Sequence, residues 1–150
     1  MSLVLAGNCS APELLRIAIG LDLLGQTRLA LKACRTAGRK QPGSAEIQHQ
    51  MAAYLLKSGH PVNLAETLLC SAVQLEPANI QYRITFASLV NILGRMNEAI
   101  ECLRKANRDQ LGNIRCSCCL TRLENLFFDG GELDLAKLCA ARAKSLQDSC

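Results

Sequence analysis

Two stretches of the chain, "AETLLCSAVQLEPAN" (65–79) and "EAIECLRKANRDQ" (98–110), place the same residue types at the same offsets. The matched positions lie 34 residues apart and are Ala65 with Ala99, Leu69 with Leu103, and Ala72 with Ala106. An internal repeat of this length is typical of a protein built from stacked copies of one supersecondary unit. These two stretches therefore decide how the rest of the chain is interpreted.

The same register extends along nearly the whole chain. Four series of residues recur at spacings of 34 to 37: Ala30, Ala65, Ala99 and Ala136; Ala37, Ala72, Ala106 and Ala143; Gly25, Gly59, Gly94 and Gly131; and Pro42 with Pro77. A single alanine match means little in an alanine-rich chain, but four concerted series indicate a true repeat.

The sequence pattern of each repeat predicts a pair of helices. In the first, "APELLRIAIGLDLLG" (11–25) is apolar with a period near 3.6 residues. Ser10 followed by Glu13, with Pro12 in the first turn, predicts the helix start, and Gly25 predicts the left-handed residue that ends it. A second helix is predicted from about Thr27 to Ala37. Because one short helix pair cannot bury its apolar face alone, the pairs are expected to stack.

The small residues have a packing role in this arrangement. Two helices can cross closely only where their side chains are small, and a leucine at the crossing would push them apart. The first helices carry their own small series, Ala18, Ala52 and Ala87, which we expect to face the alanines of the second helices.

This pattern resembles the tetratricopeptide repeat, a 34-residue helix–turn–helix unit with small residues at positions 8, 20 and 27, glycine near 15 and proline at 32. The resemblance implies an all-α fold: a right-handed superhelix, or α-solenoid, of four stacked repeats over 11–44, 45–79, 80–116 and 117–150, after an N-terminal segment 1–10. The fourth repeat departs most, with Glu124 at position 8, and Leu111 replaces the proline in the third. The family's aromatic at position 4 is missing throughout, replaced by Leu14, Gln48, Arg83 and Leu120.

Composition agrees with helices and excludes several functions. Apolar residues make up 49% of the 150 residues, aromatic residues only 3%, and there is no Trp, which favours helices over a β-sandwich. The net charge of +4 is too small to argue for nucleic acid or a membrane surface as partner. No apolar run reaches the ~20 residues of a membrane span, and "MSLVLAGNCS" (1–10) lacks a secretion signal's basic start. We therefore expect a cytoplasmic protein that binds neither nucleic acid nor membrane.

Nine cysteines present the main chemical alternative. "CSCC" (116–119) contains a C-x-x-C spacing, and Cys139 and Cys150 could supply two further thiolates to zinc. The favoured interpretation is reduced, packed side chains, as for Cys34, Cys70, Cys102 and Cys139 in the second helices. We expect no cofactor and no metal, but a metal- or redox-responsive role for Cys116–Cys119 stays open.

Catalysis is not expected. His49 and His60 are the only histidines, neither belongs to a known catalytic signature, and the chain has no phosphate-binding loop and no G-x-S-x-G or H-E-x-x-H motif. The basic stretch 28–40 has the spacing of a solvated helix face.

The resemblance implies that the first helices line a concave groove through repeat positions 2, 5, 9, 12 and 13. It places in that groove Leu15, Ile19, Leu23, His49, Leu56, Ile84, Asn91, Ile92, Asn125 and Phe128, together with Asp22 and Lys57. The Lys, Asn and Arg with which one subclass grips a peptide's C-terminal carboxylate are absent here.

We therefore predict a non-catalytic protein-interaction module that binds an apolar peptide or helix of a partner protein. The alternatives are a bacterial secretion-type chaperone or the repeat domain of a larger protein. The segment "LDLAKLCAARAKSL" (133–146) has little to cover its apolar side. We expect this C-terminal edge either to form a homo-oligomer or to continue into a further domain.

Overall fold

The computed structural model describes residues 7–106 and 108–148, and this part of the chain contains helices and no strands. The helices are α1 (Ala11–Leu23), α2 (Thr27–Lys40), α3 (Ala45–Lys57), α4 (Val62–Leu75), α5 (Ile80–Ile92), α6 (Met96–Arg104), α7 (Arg108–Gly112), α8 (Ser117–Asp129) and α9 (Leu133–Asp148). The predicted all-α fold is confirmed. None of these helices combines the length and the apolar character that crossing a membrane requires.

The chain divides into two compact units, Met1–Glu76 and Pro77–Cys150. In the first unit α1 packs against α2, α3 against α4, and α2 also contacts α3. In the second unit α5 packs against α6 and α8 against α9, while α5 also contacts α8. Each unit therefore contains two helix pairs, as the repeat pattern predicts.

Local sequence sets the start of α1. The predicted capping box is present: the Ser10 amide donates a hydrogen bond of 2.7 Å to Glu13 Oε2. Pro12 lies in the first turn, where its missing N–H costs no helical hydrogen bond. The α2 helix continues three residues beyond the predicted end, to Lys40.

The glycine series ends the first helix of every pair. Gly25, Gly59, Gly94 and Gly131 all have φ between 73 and 81°. This left-handed conformation is readily available only to glycine, and it turns the chain directly into the next helix. The prediction made from their spacing is confirmed.

Most alanines of the small-residue series are buried. Ala18, Ala52 and Ala87 are fully buried in the first helices, as are Ala30, Ala65 and Ala99 in the second. Ala136 continues the series in α9 at 6% exposure, whereas Glu124 in α8 is half-buried. The fourth helix pair therefore departs from the others where its sequence does.

The third pair carries an extra short helix. Leu111, which stands where the repeat pattern has proline, lies in α7 and is 3% exposed. A leucine can continue a helical turn and bury its side chain, which a proline at this point could not do as readily. This feature is not predicted by the repeat pattern.

Candidate peptide-binding groove

A pocket of about 270 Å³ opens in the first unit beside α1 and α3. Pro12, Leu15, Arg16 and Ile19 line it from α1. Glu46 and Ile47 contribute from α3, and Gln41 and Ser44 from the connection between α2 and α3. The buried side chains of Leu15 and Ile47 form its base, and exposed Arg16, Glu46 and Gln41 form a polar rim.

Two of the predicted groove residues line this pocket. Leu15 and Ile19 were predicted groove residues, and they meet here. Pro12 and Arg16 were missed, although the spacing of all four is i, i+3, i+4, i+7, which marks one face of a helix. Gln41 and Ser44 carry no such signal, because only the chain's path between helices brings them to the pocket.

The ends of α1 and α3 meet beyond the pocket. Lys57 Nζ lies 2.5 Å from Asp22 Oδ2, and Thr27 Oγ1 donates a 2.8 Å hydrogen bond to Asp22 Oδ1. The hydrogen bond from Lys57 and then that from Thr27 lower the pKa of the Asp22 carboxyl. The neighbours of this ion pair, Leu23 and Leu56, are 83% and 36% exposed. Two predicted groove residues are therefore exposed apolar side chains beside a charged pair.

His49 is half-buried in α3. Burial lowers the pKa of its imidazole, because the surrounding protein solvates the charged form less well than water does. His49 is therefore neutral at pH 7 and can act as either a donor or an acceptor of hydrogen bonds.

The predicted groove residues of the second unit differ in their exposure to solvent. Ile92 is 80% exposed and Phe128 is 65% exposed, at the ends of α5 and α8, whereas Asn125 is exposed and Asn91 half-buried. Ile84 is 1% exposed. Its side chain belongs to the core of this unit and offers no surface to a partner, so we remove Ile84 from the candidate groove.

The cysteines fall into two groups: thiols packed singly within the fold and a cluster of three. All eight in the described residues are free; Cys150 lies outside those residues. Cys34 and Cys139 are buried, and burial raises the pKa of each to about 11. Cys70 and Cys102 are half-buried.

Cys116, Cys118 and Cys119 instead bring their sulfur atoms within 4.8 Å of one another at the start of α8. Cys116 and Cys118 Sγ are 2.7 Å apart. Hydrogen bonding from the Cys118 and Cys119 thiols, with a smaller contribution from backbone amides, lowers the pKa of Cys116 to about 7. Burial raises the pKa of the Cys119 thiol to about 11.

The basic stretch of α2 is solvated as expected. Arg28, Lys32, Arg35, Arg39 and Lys40 are all exposed. Lys40 also donates hydrogen bonds of 2.8 and 3.1 Å to the carbonyl oxygens of Cys9 and Gly7.

No family model and no curated protein matches the sequence. Among solved structures the chain is similar to MamA proteins, which are TPR-like helical repeat proteins. It is 19% identical to the "MamA RS-1 ArsTM double mutant", with a TM-score of 0.69 over 93% of this chain and 76% of that one. A second MamA structure gives 14% identity and a TM-score of 0.68 over 93% and 79% of the two chains. For MamA 41-end from Desulfovibrio magneticus RS-1 the identity is 17% and the TM-score 0.67, over 91% and 75%. These likenesses establish the helical repeat fold.

Proposed function

We propose that this chain is a non-catalytic protein-interaction module whose first helices bind an apolar peptide or helix of a partner protein. The observation that carries the proposal is the pocket of about 270 Å³ formed where α1, α3 and the intervening connection meet. Its base is apolar and its rim is polar, the arrangement by which a surface takes up one apolar anchor while fixing the direction of the chain that carries it.

The size of the pocket favours a side chain over a cofactor. Sites for small molecules enclose roughly 300–1,000 Å³, so this pocket lies just below that range. Leu23 and Leu56, near the ends of α1 and α3, add two exposed apolar side chains in the same unit. Burying each anchor of leucine size contributes about 1.5–3 kcal/mol. Several anchors together therefore support binding in the micromolar range after the costs of ordering the peptide.

Selection from a displayed library of random peptides tests this proposal. We expect the purified chain to enrich peptides that carry apolar residues at helical spacing. Ile19→Ser should weaken an enriched peptide about tenfold or more, the effect of losing one anchor. Ile17→Ser is the matched control, because Ile17 is also half-buried in α1 but does not line the pocket. Equal losses in both variants, or losses only on Arg35→Glu and Lys32→Glu in the solvated face of α2, would contradict the proposed binding face.

The same experiment separates the two protein-binding alternatives. An adaptor selects a consensus sequence with a fixed register, because polar rim residues such as Arg16 and Glu46 orient the peptide. A secretion-type chaperone accepts many apolar segments without a consensus. If this chain is the repeat domain of a larger protein, the selected peptides give the sequence pattern that a segment of the partner protein should carry.

A further inference from the structure

We propose that Cys116, Cys118 and Cys119 form a three-sulfur binding site for a soft metal ion, Cu(I), at the start of α8. This site is separate from the pocket of the first unit that carries the proposed function, and does not depend on it. The three sulfur atoms all lie within 4.8 Å of one another. The other cysteines of the described residues do not belong to this group, so the convergence is particular to this segment.

Local structure explains why the three thiols converge. Cys116 is the N-cap residue of α8, and Cys118 and Cys119 lie in the first turn. The N-cap side chain lies beside the second and third residues of a helix, where the backbone N–H groups have no helical partner. Cys116 Sγ forms no regular capping hydrogen bond, and the sulfur atoms of Cys118 and Cys119 both lie within 4.8 Å of it.

The number of ligands selects the metal. Thiolates bind Cu(I), which is a soft ion, and zinc, which is borderline. Structural zinc sites are four-coordinate and take all four ligands from the protein. Here the described residues supply three sulfurs and no neighbouring histidine or carboxylate. Cu(I) is satisfied by three thiolates in a trigonal arrangement, so it fits this donor set better than structural zinc.

The distances require only a small adjustment. An ion about 2.3 Å from each sulfur holds the three sulfurs about 4 Å apart. Cys116 and Cys118 Sγ, now 2.7 Å apart, must separate by a side-chain rotation. Cys118 is exposed and has room to rotate, whereas Cys119 is 6% exposed and held by the core. One anchored and two adjustable ligands can close around an ion without moving the helix.

The surroundings offset the negative charge of the bound thiolates. Binding of one Cu(I) by three thiols releases three protons and leaves two negative charges on the centre. Gln81 Nε2 donates a hydrogen bond of 3.1 Å to Cys119 Sγ, an outer contact of the kind that orients a ligand and stabilises its charge. The helix N-terminus favours negative charge at the same place.

Competition with bicinchoninate tests the site. Under nitrogen, with ascorbate to keep copper as Cu(I), the unmodified chain should remove one copper per chain from the coloured bicinchoninate complex. Cys116→Ala with Cys118→Ala leaves the buried Cys119 and the core unchanged and should lower the affinity for Cu(I) at least about 100-fold. Cys9→Ser with Cys70→Ser is the control, and it should bind as the unmodified chain does.

Circular dichroism should show the same helical signal in all these variants, so that loss of copper binding reports the site and not the fold. X-ray absorption of the loaded protein should show copper bound by three sulfur atoms. Unchanged copper binding in the Cys116/Cys118 variant, no copper binding by the unmodified chain, or tighter binding of Zn²⁺ than of Cu(I) would each overturn the proposal.

Discussion

Arg83 Nε donates a hydrogen bond of 2.8 Å to the carbonyl oxygen of Pro77, six residues earlier in the chain. Gln48 Nε2 donates one of 3.0 Å to Pro42 across the same interval. Arg83 and Gln48 occupy repeat position 4, where the tetratricopeptide repeat that the sequence resembles carries an aromatic residue. Both prolines occupy repeat position 32. In these two repeats a side chain that donates a hydrogen bond to the carbonyl oxygen of the preceding proline thus stands where that family has an aromatic side chain.

Replacing Arg83 should destabilise the second unit. Arg83 is 7% exposed, and its Nη1 also donates a 3.0 Å hydrogen bond to the carbonyl oxygen of Cys102 near the end of α6. Arg83→Met keeps an unbranched side chain out to the position of Nε and removes both hydrogen bonds, so it should lower the free energy of unfolding by about 1.5–3 kcal/mol in urea titrations. Arg122→Met, at an exposed position of α8, should change it little. If both substitutions lowered the free energy of unfolding equally, the buried hydrogen bonds of Arg83 would not be the source of the loss.

The ion pair between Asp22 and Lys57 should make stability depend on pH. Its hydrogen bonds lower the pKa of Asp22 in the folded chain from the ordinary 3.8. The stabilisation is therefore complete above 3.8 and is lost as the pH falls below that value through the lowered pKa of the folded state. Because Lys57 is largely exposed, we expect a contribution of at most about 1 kcal/mol.

Melting curves of the unmodified chain and of Asp22→Asn test this dependence. The unmodified chain should be the more stable of the two at pH 7, and the difference should shrink as the pH falls below 3.8. A difference that stayed constant down to pH 2 would show that the charge of Asp22 is not its source.

Two glycine substitutions should act in opposite directions. A Cβ on Gly130 would overlap Cδ1 of the buried Ile100 and lie 2.5 Å from its Cγ1. Gly130→Ala should therefore cost about 1–3 kcal/mol, the usual cost of overpacking. Gly20→Ala, in α1 with nothing within 4 Å of the added atom, should stabilise by about 0.5–1 kcal/mol through helix propensity.

A double-mutant cycle identifies the cause of the Gly130 effect. If Ile100 is responsible, the cost of Gly130→Ala should become much smaller in an Ile100→Ala background, as measured by urea unfolding. An unchanged cost would place the strain elsewhere.

Thiol reactivity should follow burial. Cys34 and Cys139 are at most 1% exposed, and their pKa values are raised to about 11. Both the lack of access and the small thiolate fraction slow alkylation. At pH 8, iodoacetamide followed by peptide mass spectrometry should label the exposed Cys118 early and these two only on unfolding in urea. Early labelling of Cys34 would show that the first unit opens locally.

The exposed leucines of α9 should promote self-association. Leu133 is 52% exposed and Leu138 39% exposed. Leu133→Lys with Leu138→Lys should shift sedimentation at high concentration towards the monomer, because charged side chains oppose burial of this helix in an interface. Leu64→Lys, a change of an equally exposed leucine in α4, should leave the association unchanged. A chain that is monomeric before any substitution would contradict self-association through this edge and leave the alternative that the chain continues into a further domain.

What the sequence by itself determined is the repeat and its local geometry. The capping box of Ser10 and Glu13 and the left-handed glycine after each first helix follow from rules that act within a few residues. Such rules depend on backbone sterics and unpaired amide groups, and a single sequence contains them in full. The helix starts and turns were therefore predictable.

Only the tertiary structure decided which residues reach solvent and which side chains meet. Ile84 and Ile92 were both assigned to the inner face of α5, yet one is 1% and the other 80% exposed. Periodicity gives the direction of a side chain from its own helix axis, whereas exposure depends on where the neighbouring helix ends. The same reason applies to the pocket, which needs Gln41 and Ser44 from a connection without periodicity. It applies also to the hydrogen bond between Gln81 and Cys119. These two residues are 38 positions apart in the chain and meet because α5 packs on α8.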